Sequence, residues 1–331
     1  MSHRVYWIEA DRSFEVQPGE TVLEAARRSA VPFPHECTFG GCGTCRMRLV
    51  EGQVAYEELP MALSEQEAAT GFALACQARP LGDLVVSAER PGACSEPAVL
   101  EATVQSLRPL AADVLHLSLR LPEGTDLVYQ PGQYMNVQLG DGRHRSFSMA
   151  SRPDGLHVDF HVRRIPGGRF TDAQLAALSP GHRLPVEIPL GSFRYHHEDE
   201  RPLLMVATGT GLAPIKSMLE TLMDNDDCPP VSLYWGARTP ADLYLHDEIA
   251  AWAERLYEFR YVPVLSRAGD GWTGRRGHVQ SAVLEDIGDL SEHAIYLCGS
   301  SAMVGDAKAA FASHGAQPDC VYADSFVFQS N

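Results

Sequence analysis

Four of the eight cysteines in this 331-residue chain, Cys37, Cys42, Cys45 and Cys76, crowd into its first quarter. Their spacing, C-x4-C-x2-C with a fourth cysteine downstream, is that of a plant-type [2Fe–2S] centre, in which four thiolates hold two irons. Gly40, Gly41 and Gly43 let such a loop bend and bring backbone N–H groups to the sulfurs, which stabilises the more negative reduced cluster. Cys42-Gly-Thr-Cys45 alone also fits a dithiol redox pair or half of a zinc site. A dithiol would leave Cys37 and Cys76 without roles, and zinc ligands usually come as two close pairs, whereas the division here is three and one. Cys94, Cys228, Cys298 and Cys320 are scattered.

Two further groups of residues carry chemistry. Tyr129-Gln-Pro-Gly-Gln-Tyr134 precedes Arg145-Ser-Phe147-Ser148, and His161-Val162-Arg163 leads into Gly167-Gly168-Arg-Phe-Thr171. An arginine can neutralise a pyrophosphate, a hydroxyl can donate to an isoalloxazine nitrogen, and Gly-Gly before Thr can offer backbone donors to phosphate. Each alone reads as well as a surface arginine or a turn; only the combination points to a flavin. Val206-Ala-Thr-Gly209-Thr210-Gly211-Leu-Ala-Pro214 sits at a strand-to-helix junction, where glycines and a helix N-terminus admit a dinucleotide pyrophosphate. Pro214 replaces the third glycine of G-x-G-x-x-G, and proline suits a first helical turn. Tyr296-Leu-Cys298-Gly299-Ser300 ends the last expected strand, where open α/β sheets hold ligands. A buried structural cysteine is the alternative for Cys298.

The elements that must position these groups fall into three patterns. Strands over 4–9 and 13–17, a helix N-capped by Thr21 with Glu24 in a capping box, the cysteine loop, a strand at 47–50, a helix at 64–70 and a strand at 84–88 form a small α+β unit. Residues 90–97 are rich in turn formers and read as a linker. Between 100 and 188 short strands recur between turns, which predicts an antiparallel barrel with one helix at 171–178. Strands at 203–208, 231–236, 261–265 and 295–299 then alternate with helices at 214–223, 245–257, 278–285 and 302–314, the pattern of a parallel sheet. The expected boundaries are 1–91, a linker at 92–99, 100–198 and 199–331.

Composition narrows the partners. Apolar residues at 45% and charged residues at 21% describe a soluble globular chain. No apolar run reaches the roughly 20 residues needed to span a bilayer, and the N-terminus lacks a signal-like stretch, so no membrane partner and a cytoplasmic location are expected. A net charge of −16 argues against nucleic acid. Residues 1–90 hold 8 Arg, no Lys and 13 acidic residues, a net −5 that suits a basic protein patch.

Taken in order, these motifs resemble the ferredoxin–NADP reductase superfamily over essentially the whole chain. The resemblance is closer to members with an N-terminal plant-type ferredoxin domain, the reductase components of bacterial oxygenases and the reductase of CDP-6-deoxy-glucoseen biosynthesis. It implies a multidomain fold: an α+β β-grasp ferredoxin domain, an antiparallel β-barrel FAD domain and an α/β parallel-sheet NAD domain. It implies that Arg145 faces the FAD phosphates, Phe147 stacks on the ring and Ser148 lies near its reactive nitrogen. His161, Val162, Arg163, Gly167, Gly168 and Thr171 would line the remainder. Gly209, Thr210, Gly211, Pro214, Gly236 and Arg238 would hold the nicotinamide dinucleotide, with Cys298 and Gly299 at its ring and Asp324 and Phe326 near the flavin. Ser148, Cys298, Asp324 and Phe326 would be the catalytic set.

The chain departs from the family pattern at Phe147, where tyrosine is usual, and at Asp324, where many relatives have glutamate. Gly236-Ala-Arg238-Thr-Pro-Ala-Asp242 lacks the second basic group that a 2′-phosphate pocket needs, so NADH is expected over NADPH. Electrons would run from NADH through FAD and the cluster to a terminal oxygenase acting on an aromatic or similar small substrate. No C-x-H pair marks a Rieske centre, which places the oxygenase chemistry on another polypeptide. A deoxysugar reductase is the alternative, through Tyr261-Val-Pro-Val264, Ala282 to Leu290 and Cys298-Gly-Ser300. A non-enzymatic iron–sulfur redox sensor would not need a nicotinamide site. His196-His197 sits in a polar loop and is expected at the surface.

Overall fold

The structure is a computed structural model that describes residues 2–35, 37–88, 97–140 and 142–326. In the N-terminal module, apolar alternation along His3–Trp7 and Arg12–Val16 sends Val5, Trp7, Phe14 and Val16 to one face. That face is covered by the helix Val22–Arg28, and together they form a core with Phe33, Met47, Leu74 and Val86. The five strands lie in the order Arg12–Val16, His3–Trp7, Leu84–Ser87, Arg46–Glu51, Phe72–Leu74. The expected capping box is present: Glu24 N–H donates to Thr21 Oγ1 at 3.2 Å and Thr21 N–H to Glu24 Oε2 at 2.8 Å. Ser64 and Glu67 repeat the device on the short helix Glu65–Ala69, leaving Glu67 buried.

Residues 92–96 of the expected linker, with Cys94, lie outside the described residues. Ala98 and Val99, also expected to be linker, instead open the long strand Ala98–Pro109. The barrel strands follow the order His144–Ser148, Tyr134–Gln138, Arg183–Leu190, Ala98–Pro109, Val114–Arg120, His157–Arg163, all antiparallel. Ala150 N–H reaches Asp159 O at 2.7 Å beside a Met149–Phe160 bridge, drawing the two outer strands together. The helix expected at 171–178 is different in kind. Arg169–Gln174 is a π-helix that buries Phe170, followed by a single α-turn, Leu175–Ala177.

The C-terminal sheet is parallel, in the order Arg275–Arg276, Phe259–Leu265, Val231–Ala237, Leu203–Thr208, Ala294–Ser300, Val321–Phe326. The order reverses at Leu203–Thr208, so the loops after Thr208 and Ser300 flank a topological switch point, where such sheets bind ligands. The edge strand Val321–Phe326 was not expected. Only Val321 and Ser325 are buried in it, so neither alternation nor an apolar run announces it. The helix expected at 245–257 shortens to His246–Ala251 with a 3-10 turn, Trp252–Glu254. His196, expected at the surface, is buried with its ring stacked on Tyr322 at 3.9 Å; His197 is exposed.

Candidate active site

The cysteine loop turns through left-handed backbone at Thr38, Gly40 and Gly43, with φ of 60°, 82° and 85°. A Cβ on Gly40 would lie 2.8 Å from Pro60 Cβ, so the close approach of the 57–62 loop also requires glycine. The N–H groups of Gly41 and Cys42 point at Cys37 Sγ from 3.2 and 3.4 Å, and Cys76 N–H at Cys45 Sγ from 3.5 Å. The thiols face one another two by two, Cys37 with Cys42 and Cys45 with Cys76. The Cys42 thiol and nearby amides hold Cys37 down to about 5 against burial, whereas the bond to Cys76 and burial push Cys45 up. Among the described residues, no three His, Cys, Asp or Glu side chains gather around a point suited to a single ion. Two facing pairs with amides on the sulfurs fit a two-iron cluster, which takes two thiolates per iron.

Cys37, Cys42 and Phe39 form one end of a cleft of about 840 Å³ that runs along the barrel to the switch point of the parallel sheet. Phe147, tilted against Phe170 at 5.3 Å, and Ser148 line its middle, and Arg145 its rim. Asp324, Ser325 and Phe326 form the opposite lip, and Thr210 and Ala213 bring in the glycine turn. His161 is buried on the wall, its Nδ1 3.1 Å from the Tyr244 hydroxyl, and burial pushes it down to about 3, so it is neutral. Arg163 Nε is buried without a hydrogen bond among the described residues, 3.5 Å from Asp113 Oδ2. The Arg163 guanidinium lies where a Cβ on Gly209 would come within 3.4 Å of it. An arginine whose buried Nε lacks a hydrogen bond, at the mouth of a glycine turn, fits a phosphate-bearing cofactor.

Other expected roles shift. Val162 points into the barrel core, fully buried, and not into the cleft. Gly167 and Gly168 border the cleft, but their amides are already bonded, to Asp172 Oδ2 at 2.9 Å and Ile165 O at 2.8 Å. Thr171 Oγ1 likewise accepts from Ile165 N–H. These residues shape the wall, and the charge that would meet phosphate comes from the arginines. Beside Tyr134, sequence reading missed the polar wall formed by Asn136 and Glu187. Asn136 donates to Glu187 Oε2 at 3.1 Å and accepts from Ser146 at 2.7 Å. The signal was available as alternation in Tyr134-Met-Asn136-Val, whose apolar members fill the core.

At the switch point, Gly209–Gly211 makes one 3-10 turn before the helix Leu212–Leu222, with Pro214 buried in its first turn. A Cβ on Gly211 would sit 2.3 Å from Cys298 O, so only glycine lets the two loops touch. Gly236 and Gly299 end the flanking strands. Cys298 lies behind this surface, fully buried and off the cleft, and burial with the neighbouring Asp324 pushes its thiol well up. Asp324 is its register partner on the next strand. Burial raises Asp324 to about 6, while the Ser148 hydroxyl, donating from 3.5 Å, pulls the other way. Arg238 is exposed just past its strand, and Arg267 N–H donates to Arg238 O at 2.8 Å, which brings the backbone of a second arginine alongside.

Three family models match the chain: a 2Fe-2S iron-sulfur cluster binding domain over 5–81, an oxidoreductase FAD-binding domain over 101–195 and an oxidoreductase NAD-binding domain over 205–309. The reductase component 2 of terephthalate 1,2-dioxygenase from Comamonas sp. is 35% identical over 98% of each chain. The CDP-6-deoxy-L-threo-D-glycero-4-hexulose-3-dehydrase reductase of Yersinia pestis is 35% identical over 93% of each. Among solved structures, the Amycolatopsis reductase GcoB superposes with a TM-score of 0.73 at 34% identity, covering 98% of both chains.

Proposed function

The chain belongs to the iron–sulfur flavoprotein reductases of the ferredoxin–NADP reductase superfamily, and on that premise we propose that it passes electrons from NADH to a partner oxygenase acting on an aromatic or similar small substrate. The observation that carries this reading is the single cleft, bordered at one end by Cys37 and Cys42 and at the other by Thr210. Bound there, FAD and the cluster supply the conversion of a two-electron donor into successive single electrons. We assign the cluster to Cys37, Cys42, Cys45 and Cys76, and the flavin to Arg145, Phe147, Ser148, His161 and Arg163, with Gly167, Gly168 and Thr171 shaping its wall. Gly209, Thr210, Gly211, Pro214, Gly236, Arg238 and Gly299 receive the dinucleotide. Cys298 supports that surface from behind. The Ser148 hydroxyl faces both the cleft and Asp324, so it can hold a proton at the flavin edge, and Phe326 shields that edge from water.

We propose modules at 1–91, 100–198 and 199–331, with the first strand of the second reaching back to Ala98. A cytoplasmic location suits thiols that must stay reduced to hold iron, and no helix among the described residues is long and apolar enough to cross a membrane. NADH is favoured by Asp242, whose carboxylate sits in the turn after Arg238, accepting from Thr239 N–H at 2.9 Å where it would repel a 2′-phosphate. Arg267 is the observation on the side of NADPH. Steady-state kcat/KM for the two donors decides: a ratio above one for NADPH overturns the assignment. The Yersinia relative supports a second reading, in which the acceptor is a CDP-sugar dehydrase. Reconstitution with a purified oxygenase or dehydrase partner separates the two, because only the true acceptor supports donor-coupled turnover.

A further inference from the structure

The iron–sulfur module is fastened to the parallel-sheet module by a seam of buried charge. Glu67, with a side chain only 8% exposed, lies between two cations. One is Arg46 of its own module at 3.4 Å, and the other is Lys308 at 3.3 Å, on the helix Ser301–Ala312 of the other module. Lys308 also donates to Ala62 O at 3.4 Å, and its side chain is 11% exposed. From the same cluster, Arg46 reaches Pro318 O at 2.9 Å and Val321 O at 3.4 Å, at the start of the edge strand. At the far end of that strand, Ser325 Oγ donates to Gly41 O at 2.6 Å, inside the cysteine loop.

We propose that the Arg46–Glu67–Lys308 cluster is a positioning device, holding the cysteine loop against the cleft so that Cys37 and Cys42 stay on its wall. It rests on the electron route proposed above. The geometry is economical: Asp324 and Phe326 lie on the same six-residue strand that Arg46 grips at one end and Gly41 meets near the other. A displacement of the seam therefore moves the cluster end of the cleft relative to the flavin end, but leaves the donor end, built on Gly209–Gly211, untouched. Losing Glu67 leaves two largely buried cations with no carboxylate between them, and losing Lys308 removes the cluster's ion pair across the two modules.

The test uses the holoenzyme with Lys308→Met, Glu67→Gln and the pair combined, after iron and FAD contents are shown to match the parent. Ferricyanide serves as an acceptor that can draw on the flavin, and cytochrome c as one that draws on the cluster. The expected result is ferricyanide reduction within about twofold of the parent, with cytochrome c reduction down by about tenfold or more, since small misplacements of reacting groups are costly. Lys308→Arg should restore most of the loss, and the double variant should be no slower than the worse single one. Hydrogen exchange at residues 62–70 and 305–312 should accelerate in Lys308→Met. If Lys308→Met does not retain its cofactors, Glu67→Gln, which keeps an acceptor for the Ser64 cap, is read by the same split. Parallel loss of both activities, or cytochrome c reduction at the parent level, overturns the proposal. A parent enzyme that reduces neither acceptor refutes instead the electron route.

Discussion

Replacing Asp324 with asparagine tests the electrostatics of the cleft in isolation from turnover. Burial raises the Asp324 carboxyl from 3.8 to about 6, against the pull of the Ser148 bond. Because the folded value lies above the unfolded one, the neutral acid is the form the fold favours. Its stabilising share is complete below the unfolded value and is lost as pH rises through the folded one. A displacement of about two units at about 1.4 kcal/mol each makes the ionised side chain cost about 3 kcal/mol at pH 8. Asparagine keeps a carbonyl for Ser148 and never ionises. The FAD-free Asp324→Asn chain should therefore match the parent at about pH 3 and exceed it by about 3 kcal/mol at pH 8. Urea unfolding followed by tryptophan fluorescence reads this well, because Trp235, Trp252 and Trp272 all belong to the C-terminal module. A gap that stays constant between the two pH values refutes the reasoning.

Cys76→Ser should abolish iron binding and the cluster's visible absorbance while FAD is retained, which iron analysis beside flavin quantitation checks. Phe147→Tyr should tighten FAD by about two- to tenfold, the worth of one regained hydrogen bond; unchanged or weaker retention on dilution counts against a hydrogen bond from the residue 147 hydroxyl to the flavin. Gly211→Ala drives a Cβ to 2.3 Å from Cys298 O. The two loops must part, and the KM for the nicotinamide donor should rise by about tenfold or more while FAD stays bound.

Much of this was legible from residue order because the signals were local. Cysteine spacing depends on one loop, the capping box at Thr21 on four residues, and the strand 203–208 on an uninterrupted apolar run. What escaped depends on contacts made far along the chain. The edge strand Val321–Phe326 takes its shape from pairing with Ala294–Ser300, and its two buried residues give no period. His196 lies in a polar stretch, but the ring of Tyr322 covers it. The arginine whose backbone meets Arg238 comes from the turn after the strand Phe259–Leu265, which is why counting basic residues within 236–242 overlooked it. Gly167 and Gly168 border the cleft as expected, but Asp172 and Ile165 claim the amides that sequence reading had offered to phosphate.

In this one chain electrons pass from a nicotinamide donor through flavin to the cysteine-bound cluster. Anaerobic rapid mixing of the holoenzyme with NADH, followed by visible absorbance, tests it most directly. Flavin absorbance should fall first and cluster absorbance follow, with Cys76→Ser showing only the first phase. A cluster that stays oxidised beside fully reduced flavin would contradict it.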